Sequence, residues 1–342
     1  LKSGDCLFYI KYSKGEKYLM IMKIRKILYK DWIYEWLIEK KDYIKESTYA
    51  NYSNNIFNHI IPKLGNYHLN QINHKIIQDF LLELSKNGRK DNTGGLSEKT
   101  IKDITIIVKG SIKKAINENK IKYIELSFNY PKDNKDKSIY ILTKHEQNKI
   151  TDYVLNNCTS KNIGLLISLY SGIRIGELCA LQWKDVDFKN NKLTISKTIQ
   201  RIYIKDKDNN ISKIIVSTPK TKNANREIPI NKDFLEILKK LKSEKDNYIL
   251  SNTSKYVEPR TYRKYFNKVL KELKIKQFNF HSLRHTFATN CISLGCDYKT
   301  VSELLGHANV NITLNLYVHP RYSQKKKCID LISKIFQEKA AK

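Results

Sequence analysis

The sequence predicts a mainly α-helical chain with a small antiparallel β-sheet, arranged as a helical N-terminal domain followed by a larger mixed α/β domain. Three observations lead there. At 342 residues the chain exceeds one ordinary core, since domains average roughly 150 residues. Apolar residues recur every three to four positions over much of its length, and the 41% hydrophobic content is enough to bury such stripes in packed domains. Residues 131–138, which read PKDNKDKS, carry no large apolar side chain and no period, as expected of an interdomain linker.

Taken in order, residues 7–12 and 18–24 are β-prone runs flanking Ser13-Lys14-Gly15-Glu16, whose glycine suits a hairpin loop, so residues 1–27 read as a β-hairpin module. From Leu28 the period becomes helical. The aromatic segment 31–37 gives one helix. Tyr49, Tyr52, Ile56 and Ile60 stripe a second, with Ser47 as cap and Pro62 and Gly65 as stops. Ile77, Phe80, Leu81 and Leu84 mark a third that ends at Gly88, and Ile101, Ile104, Val108 and Ile112 a fourth that starts near Ser97. Four helices suffice for a small bundle over 28–130, with the linker at 131–139 and the second domain at 140–342. In that domain Thr143-Lys144-His145-Glu146 forms a capping box, and 163–170 is an apolar helix. β-branched runs at 192–195, 200–204, 211–216 and 227–230 then supply the small antiparallel sheet before helical patterns return.

Bulk charge narrows the partners. With 63 Lys and Arg against 34 Asp and Glu, the net charge of +29 collects polyanions, and nucleic acid heads the list. The excess is almost all lysine in a chain also rich in Ile, Asn and Tyr, as an A/T-rich coding sequence produces, and a polybasic membrane-surface protein would look similar. The cysteines, Cys6, Cys158, Cys179, Cys291, Cys296 and Cys328, are scattered without Cys-x-x-Cys or finger spacing, which argues against zinc and for reduced thiols in a cytosol. No run of about 18 apolar residues occurs, so a soluble, non-exported protein without a membrane partner is expected. Because the chain starts at Leu1, the true N-terminus is expected upstream.

Candidate chemistry lies in the second domain. In Ser171-Gly172-Ile173-Arg174-Ile175-Gly176-Glu177-Leu178 an arginine follows a glycine-marked break, and Glu177, three residues on, shares its helical face. An ordinary surface ion pair is the alternative. His281-Ser282-Leu283-Arg284 sets an imidazole and a guanidinium on one face, a combination suited to phosphate: Arg gives planar bidentate donors and His moves protons near neutral pH. A capped, partly buried helix start would look the same. Leu305-Gly306-His307 follows, and then Thr313-Leu314-Asn315-Leu316-Tyr317. His307 and Tyr317 are ten positions apart, so two short helices must fold together to unite them. With 22 tyrosines in the chain, only the combination singles out Tyr317. Lys220 falls between the runs 211–216 and 227–230, where a hairpin tip could reach over bound DNA.

Arg174, Lys220, His281-x-x-Arg284, Leu-Gly-His307 and Tyr317, in that order, resemble the tyrosine recombinase (phage integrase) family, and the His-to-Tyr spacing resembles integrases of conjugative transposons and related prophages. The resemblance spans roughly 143–317. It implies a tyrosine recombinase catalytic domain at 140–342, a core-binding, SAM-like DNA-binding domain at 28–130, and at 1–27 the remnant of an arm-binding module.

The implied activity is site-specific recombination for integration or excision of a mobile element, through a 3′-phosphotyrosyl intermediate. In that chemistry Arg174, Arg284 and His307 hold the non-bridging phosphate oxygens, each donor typically worth about 3–4 kcal/mol. Tyr317 is the nucleophile, His281 accepts its proton, Lys220 protonates the departing 5′ oxygen, and Glu177 orients Arg174 or His281. Two adjacent guanidiniums favour the phenolate. No metal or other cofactor is called for. The implied partners are double-stranded DNA at attachment or element-end sites, three further copies of the chain, and an accessory protein that sets direction or bends the DNA. The implied setting is the bacterial cytoplasm, at the nucleoid while active. The tail 325–339, striped by Cys328, Ile332, Ile335 and Phe336, must bury that stripe on its own domain or, as the resemblance implies, on a neighbouring subunit in a tetramer. Two rivals share the scaffold: a type IB-like topoisomerase, and a catalytically silent DNA-binding regulator.

Overall fold

The computed structural model describes residues 6–13, 16–23, 27–131, 139–207, 209–218 and 225–317, with 326, 329, 330 and 333. By contacts the chain divides into two compact units, Leu1–Asp136 with Ile202–Lys213, and Lys137–Arg201 with Ile214–Lys342.

The first unit opens with strands β1 (Cys6–Ser13) and β2 (Glu16–Lys23), an antiparallel pair in which Tyr9 faces Met20 across the ladder. Helices α1 (Tyr29–Lys40), α2 (Glu46–Asn55), α3 (Ile61–Leu64), α4 (His74–Asn87) and α5 (Glu98–Asn117) follow. Their caps are written in the sequence: the Asn73 side chain accepts the Ile76 N–H at 3.0 Å, and the Ser97 hydroxyl accepts that of Thr100 at 3.3 Å. The stripes close on one core of Trp32, Ile33, Trp36, Ile60, Ile77, Leu81, Ile104 and Val108, each such side chain contributing about 1.5–3 kcal/mol on burial. The polar ends of its aromatics are satisfied within the helices. Tyr29 and Ser111 hydroxyls bond at 2.7 Å, and the Trp32 indole donates to the Ser111 carbonyl at 3.0 Å.

Two expectations for the second helix are corrected. It starts one residue before Ser47, with Lys45 at the cap position and no side-chain cap bond. Nor does Pro62 stop it: a π-helical turn, Ile56–Ile60, leads into α3, where Pro62 occupies the first turn, and proline is tolerated there because it needs no N–H donor. The chain leaves the helix only at Gly65, whose N–H bonds the Ile61 carbonyl at 2.9 Å.

The second unit starts with α6 (Lys144–Asn156), opened by the full Thr143–Glu146 capping box, and α7 (Ser160–Ser171), capped by Thr159. α7 is buried on nearly every side through Ile163, Leu165, Leu166, Ile167 and Leu169, the mark of a central helix. After α8 (Ile175–Ala180) come β3 (Val186–Asp187), β4 (Lys192–Ile195), β5 (Thr198–Lys205), β6 (Asn210–Ser217) and β7 (Arg226–Pro229), the stretch Ile202–Lys213 of β5 and β6 counting with the first unit. Then follow α9 (Lys232–Leu241), α10 (Pro259–Glu272), α11 (His281–Ser293), α12 (Tyr298–Leu305) and α13 (Val310–Tyr317). The aromatic side of the core, Tyr262, Phe266 and Phe280, packs edge to face.

The strands form two sheets where one was expected. β4 sits between β3 and β7, with Leu193 opposite Val186 on one side and Ile228 on the other, while β5 and β6 form a separate two-stranded sheet. Leu193 and Ile228 are buried, so β7 gains an apolar partner on β4 that β6, exposed along much of its length, does not offer. β6 and β7 therefore belong to different sheets and do not form the expected hairpin. Lys220 itself lies outside the described residues, as do Cys328, Ile332, Ile335 and Phe336 of the tail.

Candidate active site

Two helix ends shape the site. α7 ends at Gly172 and α12 at Gly306, both left-handed at φ 64°, a conformation that glycine adopts without cost and that leaves the last carbonyls turned outward. Arginines take both glycine carbonyls. Arg284 Nη1 donates to Gly172 O at 2.9 Å, and Arg174 Nη2 donates to Gly306 O at 3.2 Å. At Gly172 any side chain would also strike Phe287 and Leu305, at 2.5 and 2.8 Å from the new Cβ.

Arg174 is the N-cap residue of α8 and is held by Glu177. The carboxylate accepts the Arg174 backbone N–H at 2.9 Å and its Nη1 at 2.6 Å, so the shared face read from the sequence is a real contact. Glu177 is itself buried and takes a second guanidinium, Arg226, whose Nη2 lies 2.9 Å from Oε2. Burial alone would raise the Glu177 pKa; Arg226 first and then Arg174 overcome it and hold the carboxylate ionised. Arg226 Nε also donates to the Leu304 carbonyl at 2.6 Å, tying the start of β7 to the end of α12. Arg226 was not singled out from the sequence. It reads there only as the first residue of a strand, and nothing local signals a partner 49 positions away.

His281 and Arg284 occupy the first turn of α11. Arg284 is only 1% exposed, and its Nε and Nη2 have no hydrogen-bond partner among the described residues. Burial, with Arg174 next, pushes its pKa down to about 9, against the opposing pull of Glu177. A guanidinium buried with unused donors is an expensive feature unless an anion completes it. Burial likewise takes His281 down to about 4, helped by His285, Arg284 and Arg174, and His307 to about 3, helped by Arg284 and Arg174. Both imidazoles are neutral at pH 7 in the free protein. His307 sits in the turn between α12 and α13 and bonds the Thr313 hydroxyl through Nδ1 at 2.8 Å.

That turn solves the ten-residue spacing: α13 folds back on α12 and brings Tyr317 against α11. Its ring packs against the cluster of Ala288, Val301 and Leu305, as do Phe287, Cys291 and Ile292. Arg284 and Arg174 lower its pKa, as adjacent guanidiniums should, but burial raises it by more, so the hydroxyl stays protonated in the free protein. The hydroxyl lies 2.5 Å from Nδ1 of His285, not against His281. His285 lies just outside the His281-x-x-Arg284 motif. Its signal was available, four residues after His281 and so on the same face.

Arg174, His281, Arg284, His307 and Tyr317 thus converge, with Glu177 beneath them. The set offers guanidinium and imidazole donors to an oxyanion and a hydroxyl nucleophile with an imidazole in contact.

A model of the phage integrase family matches residues 140–324, and a model of the phage integrase N-terminal SAM-like domain matches 28–85. The XerC-like tyrosine recombinase of Caldanaerobacter subterraneus subsp. tengcongensis is 33% identical over 189 residues, 50% of this chain and 48% of that protein. The transposase of transposon Tn916 from Enterococcus faecalis is 27% identical over 286 residues, 76% of this chain and 66% of that protein. The chain thus spans about half to two thirds of the length of these relatives. Among solved structures, the integrase of transposon Tn1549 in complex with a circular intermediate DNA shares the fold, with a TM-score of 0.70, 19% identity, and 90% of this chain and 99% of that chain covered.

Proposed function

The chain belongs to the phage integrase family, and we propose that it is a site-specific DNA recombinase of the tyrosine type, integrating or excising a mobile element through a 3′-phosphotyrosyl link at Tyr317. The observation that carries this is Arg284, buried with two donors unused, in a cluster with Arg174, His307 and the Tyr317 hydroxyl. A phosphodiester supplies the anionic oxygens those donors need, and charge builds on them as the nucleophile attacks. Arg174, Arg284 and His307 hold the non-bridging oxygens, His281 joins them at the same phosphate, and Glu177 orients Arg174. Lys220 protonates the leaving 5′ oxygen, a task suited to an ammonium on a flexible stem. The ester keeps the energy of the broken bond, so a 5′ hydroxyl from another strand reverses the attack without ATP.

Residues 140–342 carry the chemistry and 28–130 grip the DNA, with 131–139 as linker and 1–27 as the rest of an arm-binding module. Most lysines contact phosphate only, so binding weakens steeply with salt. The same reading has four subunits on two DNA sites, joined through the C-terminal helix, an accessory protein that directs or bends, and a bacterial cytoplasmic setting at the nucleoid. The test is a nicked suicide substrate bearing the element's end sequence. Wild type should give a protease-sensitive, covalently shifted DNA band and Tyr317→Phe none, with equal binding. Binding without any shifted band would favour a silent regulator on the same scaffold.

A further inference from the structure

We propose that His285, through Nδ1, accepts the proton of the Tyr317 hydroxyl as that oxygen attacks phosphorus. The proposal rests on the reading of Tyr317 as nucleophile. Its basis is position. His285 lies in the second turn of α11, next in sequence to Arg284, and reaches across to α13, where its Nδ1 is 2.5 Å from Tyr317 Oη with ring centres 5.5 Å apart. Among the described residues Tyr317 is its one hydrogen-bond partner. A candidate base must first be within hydrogen-bond reach of the proton it removes, and His285 meets that condition before DNA arrives. His281 does not: its ring stands edge to face on His285 at 4.7 Å, and the charges that act on it besides His285 are Arg284, Arg174 and Glu177. The two imidazoles thus divide the work, His281 toward the guanidiniums and His285 toward the nucleophile.

The protonation state fits. The groups that face the pair are Arg284 and His281 on α11, Arg174 at the head of α8, and Tyr317 on α13. Burial first and Arg284 second hold the His285 pKa below its usual value, so the ring is neutral at pH 7 and can accept at Nδ1 while Nε2 carries the hydrogen. In the step the Tyr317 O–H bond breaks and its proton passes to Nδ1. The P–Oη bond forms as the P–O5′ bond breaks, and the 5′ oxygen takes a proton from the acid. In ligation His285 returns its proton to Oη as the 5′ hydroxyl attacks.

The test is single-turnover cleavage of the suicide substrate by wild type, His285→Gln and His285→Ala. DNA affinity, measured alongside, should stay within about twofold, which shows a folded protein. The variants should cleave at least ~10²-fold more slowly, the lower end of what a general base provides. Imidazole in the buffer should partly rescue His285→Ala. Replacing Tyr317 by 3,5-difluorotyrosine, a more acidic phenol, should recover more of the loss in the variants than it adds to wild type. Cleavage within about fivefold of wild type, or a loss relieved neither by imidazole nor by the fluorinated tyrosine, overturns the role of His285 and leaves Tyr317 as nucleophile untouched. A wild-type protein that binds the substrate and forms no adduct overturns both.

Discussion

Arg174 and Arg284 bring the same charge to the same cluster, yet their surroundings differ. Arg174, 36% exposed, is a helix cap with a carboxylate partner, and that carboxylate is shared with a second guanidinium. Arg284, 1% exposed, has among the described residues a single carbonyl partner and two buried donors without one. The first is a closed network that stabilises the fold whether or not DNA is bound. The second has donors to spare, which an anionic oxygen such as that of a phosphate would fill. Arg174 is thus anchored by the protein before any ligand arrives, whereas Arg284 depends on a ligand to complete its hydrogen bonds.

The largest effect expected is on the closed network. Glu177→Ala leaves Arg226 buried without its carboxylate, and removing one partner of a buried pair typically costs about 3–5 kcal/mol, measurable by urea unfolding. A loss under about 1 kcal/mol would mean that Arg226 finds water instead. Next, Arg284→Met should slow covalent attachment by about 10²–10³-fold, as loss of one oxyanion donor does, while the melting temperature holds or rises because an incompletely paired buried charge is gone. A large fall in melting temperature would show that Arg284 is structural after all.

Smaller effects sharpen the contrast. Gly172→Ala forces a side chain into left-handed backbone against Phe287 and Leu305, so about 1–2 kcal/mol of stability should go, and with it the fixed carbonyl that seats Arg284. The slightest effect is on pH. His281 and His307 titrate near 4 and 3 in the folded protein but near 6.5 when unfolded, so their contribution to stability is complete above about pH 6.5 and is lost as pH falls through that window. The melting temperature of the free protein should fall between pH 7 and 5. A bound phosphate favours the imidazolium forms, so DNA should reduce that fall; an equal fall with and without DNA would separate these histidines from the ligand.

The parts of this arrangement that were legible in the sequence are those set by neighbours along the chain. The stripe on α4, the start of α5 at Ser97, the Thr143 capping box and the Arg174–Glu177 face are all local, and local spacing revealed them. The motifs around Arg174, His281, Arg284, His307 and Tyr317 were legible as a set because a resemblance supplied their order. What stayed hidden is long-range or geometrically irregular. β7 pairs with β4 and not with the nearer β6 because apolar burial decides strand partners, and a single sequence does not display it. The two-residue β3 and the π turn at Ile56–Ile60 have no pattern to read. Arg226 and His285 gain meaning only through Glu177 and Tyr317, 49 and 32 positions away.

The central claim is that one tyrosine of 22 becomes joined to DNA. The measurement that tests it most directly is peptide mapping of the covalent complex trapped on a suicide substrate, in which nuclease and protease digestion leave a nucleotide-bearing peptide for mass spectrometry. The account predicts a single modified peptide whose fragments place the phosphodiester on Tyr317. A modified peptide carrying the mass on any other residue would contradict it.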